Sequence, residues 1–214
     1  SDVNETGLAD TARECKALGV NVTTARIDVA DRTAVHNWAD ATAQAHGKVN
    51  IVINNAGTTH KNQPMLNVDE KTFDRVFNVN VKSIYFITHA IVPLMRQRGT
   101  GGVMINVGST AGIRPRPGLS WYNASKGAVN LLSKSMAVEL APDRIRVNAL
   151  CPVMGATGLL GDFMGPAALA VTTGRVSERR VIDFLRQLIM LLRAGTPILR
   201  SLQTLSKRTS SAGT

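Results

Sequence analysis

Residues 106–126 read N-V-G-S-T-A-G-I-R-P-R-P-G-L-S-W-Y-N-A-S-K, and they contain the most informative pattern in the sequence. Tyr122 and Lys126 stand four residues apart where a helical pattern begins, so their side chains share one face of a helix. Ser109 follows the apolar run Val103–Val107, which predicts a buried strand. A hydroxyl at the carboxyl end of a strand and a Tyr/Lys pair on the next helix meet at the mouth of a parallel sheet, where open α/β folds bind ligands. The stretch therefore predicts an α/β protein with a site at that mouth.

The Tyr/Lys pair predicts proton transfer. Tyrosine has a reference pKa of about 10 and is a poor base at neutral pH, but a nearby cation favours the phenolate and lowers that pKa. We therefore expect Lys126 to lower the pKa of Tyr122, which then passes a proton to or from an alcohol oxygen as hydride moves at carbon. Ser109 can hold the same oxygen. The four-residue spacing alone also fits an ordinary pair on a helix surface, so the hypothesis depends on Ser109 and on further motifs.

Composition limits the class of protein. The 214 residues are 44% hydrophobic, enough for one domain with a sizeable core. The two cysteines, Cys15 and Cys151, lie far apart in apolar surroundings, which indicates reduced thiols and a cytoplasmic protein. The sequence has no N-terminal signal pattern, and no apolar run reaches the ~20 residues of a membrane span, so we expect no membrane contact.

The formal charge of +10 is unevenly distributed. Residues 166–214 carry eight Lys/Arg against two Asp/Glu, a net charge of +6, whereas residues 1–165 carry seventeen against thirteen, a net charge of +4. A basic protein can bind nucleic acid, but an excess concentrated at one end does not favour that partner, and we expect none. The change in composition predicts a core over residues 1–165 and an atypical basic tail over residues 166–214.

Two further motifs accompany the Ser/Tyr/Lys pattern. Asn54-Asn55-Ala56-Gly57 follows the apolar run Val49–Ile53, and Asn80 lies in V-N-V-K-S. In this order, the motifs resemble the short-chain dehydrogenase/reductase family over about residues 1–165. The resemblance implies a single Rossmann-type domain with a doubly wound parallel sheet, a nicotinamide cofactor, and the oxidation or reduction of a small-molecule secondary alcohol or ketone. It implies no metal ion.

The resemblance also implies roles for the residues of this pattern. Tyr122 is the general acid/base, Ser109 orients the substrate oxygen, and Lys126 contacts the nicotinamide ribose as well as the tyrosine. Asn80 belongs with them because it binds a water that continues a proton path from the lysine; a buried amide with satisfied hydrogen bonds is the alternative. In relatives, the helices that carry Asn80 and Tyr122 pair with a symmetry mate, so we expect a homodimer or homotetramer.

The cofactor is bound, by the same resemblance, along the ends of the strands. Asp2 accepts hydrogen bonds from the adenosine ribose and repels a 2′-phosphate, which favours NAD over NADP, although an Asp there also suits a helix cap. Asp28 lies beside the adenine, and Thr157 holds the nicotinamide carboxamide. Asn55, Ala56 and Gly57 line the adenosine ribose side of the cofactor, although Asn and Gly after a strand are also typical of an ordinary turn. The expected cofactor residues are Asp2, Asp28, Val29, Asn55, Ala56, Gly57, Tyr122, Lys126 and Thr157.

Two motifs of the family are not found in the sequence. The glycine-rich turn that seats the pyrophosphate does not precede Asp2, and no final Asp-Gly-Gly strand follows Gly165. We therefore expect an incomplete sheet that lacks its first and last strands. The alternative function is a non-catalytic remnant that keeps the site residues but does not bind the cofactor fully.

Apolar periodicity predicts the remaining elements. The run Val49–Ile53 is nearly continuous, which is typical of a parallel strand covered on both faces. Asp69 is placed to cap a long helix, in which Pro93 predicts a kink. Helices are predicted over Glu5–Leu18, Arg32–His46, Glu70–Arg98 and Trp121–Leu140, and strands over Val20–Val29, Val49–Ile53, Val103–Val107 and Arg144–Cys151.

Overall fold

The computed structural model describes residues 1–153 and 160–163, in which helices and parallel strands alternate. Thr157 and the predicted basic tail over residues 166–214 lie outside these residues. The strands are β1 (Ile51–Asn54), β2 (Gly102–Val107) and β3 (Ile145–Leu150). The helices are α1 (Glu5–Ala17), α2 (Arg32–His46), α3 (Glu70–Phe77), α4 (Ser83–Arg98), α5 (Ser120–Glu139) and α6 (Leu160–Phe163).

The sheet is parallel, with its strands in the order β1-β2-β3 in the described part of the chain. Ile51 pairs with Val103 and Asn54 with Asn106, and Val107 lies opposite Leu150. Each connection between the strands passes through a helix, as parallel strands require. The predicted Rossmann-type parallel sheet is confirmed, and three of its strands lie in the described residues. Its carboxyl ends lie side by side and bring the loops that follow them together.

The predicted strand Val20–Val29 is wrong. Arg26 forms one isolated parallel bridge with Asp2, where the Asp2 N–H donates to Ala25 O at 3.3 Å and the Ile27 N–H donates to Asp2 O at 3.2 Å. A strand needs a ladder of such bonds along its neighbour, and among the described residues this segment finds only one pairing position. The alternation of apolar residues fitted a strand, but no strand forms because the segment pairs with a neighbouring backbone at one position only.

Strand β1 is covered on one face only. Val52 and Asn54 are buried, but Ile51 and Ile53 are each 61% exposed. The expectation that this strand is covered on both faces is therefore wrong. The apolar run resembled a fully buried strand because a sequence pattern records which side chains are apolar, and only packing determines whether another element covers them.

The long helix predicted over Glu70–Arg98 is confirmed in extent but contains a π-helical segment, Asn78–Lys82. Asp69 caps its start, since the Thr72 N–H donates to Asp69 Oδ1 at 2.6 Å. The segment inserts a wider turn between α3 and α4, and α4 then continues through Pro93 to Arg98. Such π turns recur at functional sites, and this one carries Asn80.

The main apolar core lies between the sheet and the helices. Helix α2 packs against α4, and α5 packs against β2 and β3. No helix among the described residues is long and apolar enough to cross a membrane. The fully buried core side chains include Val35 and Ala39 of α2, Ile91 and Met95 of α4, Met104 of β2, Val129 of α5 and Ile145 of β3.

Candidate active site

A cavity of about 930 Å³ lies beside the carboxyl ends of β1 and β2, and its wall includes Asn54 and Val107. This volume is within the usual range for a small-molecule site. The cavity brings together most residues that the sequence predicted for the site. Those that line it are Asp2, Asp28, Val29, Asn55, Ala56, Gly57, Ser109, Tyr122 and Lys126.

Ser109 begins the turn that follows β2. Its Oγ accepts a hydrogen bond from the Ala111 N–H at 3.0 Å and so caps a 3₁₀ turn, Thr110–Gly112. The Ser109 side chain also lies close enough to the hydroxyl of Tyr122, in the first turn of α5, to lower the pKa of that hydroxyl. The two hydroxyls therefore converge, as the sequence predicted, and both can contact one substrate oxygen.

Burial raises the pKa of Tyr122. The hydrogen bond with Ser109 and the positive charge of Arg116 lower this pKa, but they offset the effect of burial only in part. The direction is opposite to the sequence expectation, and Lys126 is not among the causes. The physical reason is that the buried phenolate would lose its hydration. At neutral pH, Tyr122 is therefore a protonated phenol and a proton donor.

Lys126 is a buried ammonium, with 5% of the residue exposed. Its Nζ donates a hydrogen bond to the carbonyl oxygen of Val107 at 2.8 Å. Burial lowers its pKa from 10.5 to about 8, and the electrostatic interaction with Cys151 opposes this change. Burial disfavours the charged forms of both site residues, so it raises the pKa of the tyrosine and lowers that of the lysine.

Gly57 leaves room for two polar side chains against the backbone after β1. A Cβ at this position would lie 3.3 Å from Lys126 Nζ and 3.5 Å from Asn80 Oδ1. The absence of a side chain thus lets the ammonium and the amide approach the main chain closely. With Ala56, which is also small, Gly57 forms a surface that a flat ribose or base could approach. This cradle fits the predicted nicotinamide cofactor.

Asn80 ties the loop after β1 to helix α5. Its Oδ1 accepts from the Thr58 N–H at 2.8 Å, and its Nδ2 donates to Thr58 O and to Ser125 Oγ, each at 2.9 Å. Ser125 Oγ in turn donates to the carbonyl oxygen of Tyr122 at 2.8 Å. The side chain is therefore a buried amide whose hydrogen bonds are satisfied. It positions Thr58 relative to the helix that carries Tyr122.

Asn80→Asp is expected to lower the free energy of unfolding by roughly 2–4 kcal/mol, because it removes two donors and leaves a buried carboxylate oxygen facing Thr58 O. Urea denaturation monitored by circular dichroism measures the loss. Asn78→Asp, at a half-buried position in the same π segment, is the matched control and is expected to change stability much less. Equal effects of the two substitutions would show that the three hydrogen bonds of Asn80 contribute little.

Asp2 and Asp28 place two carboxylates in the cavity wall. Asp2 Oδ1 accepts from the Asn4 N–H at 3.0 Å, and Asn4 itself caps α1, so the helix-cap alternative for Asp2 is wrong. Asp28 Oδ1 accepts from the Ala30 N–H at 2.9 Å, while Asp31 caps α2 as predicted. Both carboxylates are exposed and retain acceptor capacity for a ligand.

Two side chains around the site, Asn130 and Phe163, were missed from the sequence. Asn130 Nδ2 donates to Ser109 O at 3.1 Å, and its Oδ1 accepts from Cys151 Sγ at 3.2 Å. Its spacing of four residues from Lys126 on α5 was the signal that could have found it. Arg116 and Phe163 also line the cavity, and the Phe163 ring lies 5.0 Å from that of Tyr122. No local pattern marked Phe163.

A family model described as short chain dehydrogenase matches residues 1–164. Among curated proteins, the chain is 46% identical over 138 residues to 4-formylbenzenesulfonate dehydrogenase of Comamonas testosteroni, covering 64% of this chain and 54% of that protein. It is 35% identical over 152 residues to 3beta-hydroxysteroid dehydrogenase 2 of Eggerthella lenta, covering 71% of this chain and 58% of that protein. The chain thus spans somewhat more than half of the length of these curated relatives.

Solved structures show the same likeness. The 3-ketoacyl-(acyl-carrier-protein) reductase from Brucella melitensis, complexed with NADH, matches with a TM-score of 0.69 and 40% identity over 73% of this chain and 66% of that one. An NAD⁺-bound xylitol dehydrogenase matches with a TM-score of 0.71 and 29% identity over 75% of this chain and 61% of that one.

Proposed function

This chain belongs to the short-chain dehydrogenase family, and on that premise we propose that it is an oxidoreductase acting on a secondary alcohol or the corresponding ketone. The family binds nicotinamide cofactors, which supply or accept the hydride at the substrate carbon. The observation that carries the proposal is the convergence of the Ser109 and Tyr122 hydroxyls in a cavity also lined by Lys126 and by Asn55, Ala56 and Gly57.

Tyr122 transfers the proton in this proposal. In the direction of reduction, the carbonyl carbon gains a hydride while the carbonyl oxygen accepts the Tyr122 proton, and Ser109 holds that oxygen by a hydrogen bond. Because burial raises the pKa of Tyr122 above its ordinary value of about 10, the resting residue is protonated at neutral pH and ready for reduction. Oxidation requires the phenolate, so its rate rises as the pH increases toward the raised pKa of Tyr122.

Lys126 and Asn80 support this transfer in the proposal. The Lys126 ammonium, held by Val107 O, lies against Gly57, where it would contact the nicotinamide ribose. Asn80 anchors the proton path that leads away from the lysine, and its hydrogen bonds to Thr58 and Ser125 keep the segment in place. Thr157 remains the proposed partner of the nicotinamide carboxamide.

NAD is the proposed cofactor in preference to NADP. Asp2 and Asp28 line one part of the cavity together with Val29, and their carboxylates would accept hydrogen bonds from a ribose. A phosphate at the same position would meet like charge, which costs about 1 kcal/mol per pair at about 4 Å in water and more in a protein. The carboxylates therefore favour the cofactor without the 2′-phosphate.

Titration of the chain with NADH, followed by cofactor fluorescence, tests the proposal. We expect the parent chain to bind NADH saturably and NADPH more weakly. In Asp2→Asn, the ratio of the two affinities should fall roughly tenfold, because one charge that repels the 2′-phosphate is removed. Asp10→Asn, which removes an exposed carboxylate of α1 outside the cavity, is the matched control and should leave the discrimination unchanged. Absence of NADH binding would reject the oxidoreductase, and equal discrimination in Asp2→Asn would reject the role of Asp2.

A non-catalytic remnant is the second candidate. The observation that favours it is the 61% exposure of Ile51 and Ile53 on the uncovered face of β1, which forms part of the cavity wall. An apolar wall left open to water is less well formed than most ligand sites. The same titration separates the two candidates, because a remnant keeps its fold but shows no saturable NADH binding.

A homodimer or homotetramer is the proposed assembly. Helices α4 and α5 present large apolar side chains to solvent, including Tyr85 on α4 and Leu131 and Val138 on α5, which are 51%, 66% and 79% exposed. Large apolar side chains exposed on helix surfaces are typical of surfaces that associate. The partners in this proposal are a second copy of the chain and a small-molecule alcohol or ketone.

A further inference from the structure

The charged side chains of the cavity wall are not mixed evenly. Two carboxylates, Asp2 and Asp28, belong to the segments before α2. The cations that line the cavity are Arg75, Arg116 and Lys126. Lys126 donates to the strand end at Val107, and Arg75 donates to Thr58 Oγ1 at 2.6 Å and to Thr59 O at 2.9 Å. The part of the cavity around Ser109 and Tyr122 is therefore electropositive among the described lining residues.

From this arrangement we propose that the substrate carries an anionic group, a carboxylate or a sulfonate, and that Arg116 binds it. The inference rests on the proposed function, because it assigns a substrate group to the same cavity. Its central contact is the guanidinium of Arg116, whose planar fork of donors matches the oxygens of a carboxylate or sulfonate. A guanidinium has five N–H donors, so a protein contact still leaves donors for a ligand.

Arg116 is held in position by its backbone. The Asn123 Nδ2 donates to the carbonyl oxygen of Arg116 at 2.8 Å, and the Asn62 Nδ2 donates to that of Pro117 at 3.1 Å. Arg116 is half-buried in the cavity wall, whereas Arg114, two residues earlier in the same loop, is exposed and does not line the cavity. The two arginines are indistinguishable in the sequence, and the fold selects Arg116.

The charge of Arg116 acts on the reacting group. It lowers the pKa of Tyr122, against the larger effect of burial. Arg116 and Tyr122 line the same cavity, so a substrate whose carbonyl oxygen contacts the phenol can present a second group to the guanidinium. The predicted anion and carbonyl therefore lie on one small molecule.

The rest of this part of the wall is apolar. Ala111, Leu119 and Phe163 line the cavity beside Tyr122, and the Phe163 and Tyr122 rings are tilted by 59° with their centroids 5.0 Å apart. An apolar wall beside the reacting hydroxyl favours an apolar body between the two functional groups of the substrate. The inferred substrate is a carbonyl or alcohol on an apolar frame with an anion at its other end.

Binding of 4-acetylbenzoate and of its neutral methyl ester tests the inference by isothermal titration. Each ligand is titrated without cofactor and with saturating NAD, which cannot reduce a ketone. We expect the anion to bind about tenfold or more tightly than the ester, as for one charge-assisted contact. In Arg116→Gln this preference should fall to about threefold or less, and Arg116→Lys should retain an intermediate preference because a point charge lacks the guanidinium fork.

Arg114→Gln is the control and should keep the full preference of the parent chain. Equal binding of anion and ester by the parent would overturn the inference, as would an anion preference that survives in Arg116→Gln. Failure of both ligands to bind at millimolar concentration would also overturn it. If saturating NAD changes the affinity of neither ligand, the proposed oxidoreductase is rejected. The titrations without cofactor still measure the preference for the anion.

Discussion

Tyr122→Phe is expected to lower the rate of ketone reduction by two to four orders of magnitude, roughly the contribution of a positioned general acid. The substitution removes one oxygen atom. The Tyr122 hydroxyl lies beside the Ser109 side chain and is protonated at neutral pH, whereas the ring packs against Phe163. Phe preserves the ring contact and removes only the proton donor. Cofactor affinity is therefore expected to stay within about twofold, since the substitution leaves the packing unchanged.

Turnover is measured by NADH absorbance with a panel of aryl ketones, and NADH affinity by fluorescence titration of the same preparations. The chain has two tyrosines, so Tyr85→Phe is the matched control. Tyr85 is 51% exposed on α4, and its loss should leave turnover unchanged. Turnover of Tyr122→Phe close to that of the parent chain would remove Tyr122 from the proposed chemistry, whatever the cofactor affinity.

Lys126→Met is expected to stabilise the chain while it impairs the site. The pKa of Lys126 falls from 10.5 to about 8 on folding, so the unfolded chain binds more protons than the folded chain between these values. Stability of the parent therefore rises with pH across about pH 8–10.5, and below pH 8 the full cost of burying the ammonium is present. Burying the ammonium costs at most roughly 3 kcal/mol of stability, and Lys126→Met removes this cost. The substitution also removes the hydrogen bond to Val107 O, which lowers the gain in stability by about 1 kcal/mol.

At pH 7, we therefore expect the free energy of unfolding of Lys126→Met, measured in urea, to exceed that of the parent by about 2 kcal/mol. The difference should shrink as the pH rises above about 8, because the parent lysine then becomes neutral in the folded state. NADH affinity and turnover should fall by about tenfold or more, because the proposed ribose contact is lost.

Lys134→Met is the matched control for this experiment, because Lys134 is an exposed lysine two turns further along α5. It should change stability by no more than about 0.5 kcal/mol and leave the pH dependence in place. A Lys126→Met variant that is less stable than the parent at pH 7 would contradict the low pKa. A variant with unchanged NADH affinity would contradict the proposed ribose contact.

The sequence predicted the parts of the fold that depend on local spacing. The helix over Arg32–His46 and the capping roles of Asp31 and Asp69 follow from side chains that reach neighbouring backbone groups, so a few residues are sufficient to recognise them. The strand before Ser109 and the helix that carries Tyr122 were identified for the same reason. Their order along the chain then placed both at one edge of a parallel sheet.

The wrong predictions concern quantities that depend on distant residues. The segment Val20–Val29 has the pattern of a strand, but a strand exists only where a neighbour pairs with it, and here one bridge to Asp2 is formed. Strand β1 has an apolar sequence, yet Ile51 and Ile53 are exposed because nothing in the described residues covers them. The π segment around Asn80 was likewise hidden, since a single π-helical turn inside an α-helix leaves no clear local signature in the sequence.

By itself, the sequence determined that a serine, a tyrosine and a lysine meet at the mouth of a parallel sheet, because strand period and helix period are local properties that fix where Ser109, Tyr122 and Lys126 point. Only the tertiary structure decided their protonation and the character of the cavity around them. Burial raises the pKa of Tyr122 and lowers that of Lys126, and desolvation is the summed effect of many distant neighbours. The same packing turned Arg116 to the cavity and left Arg114 in solvent, a choice between two similar residues that no short pattern contains.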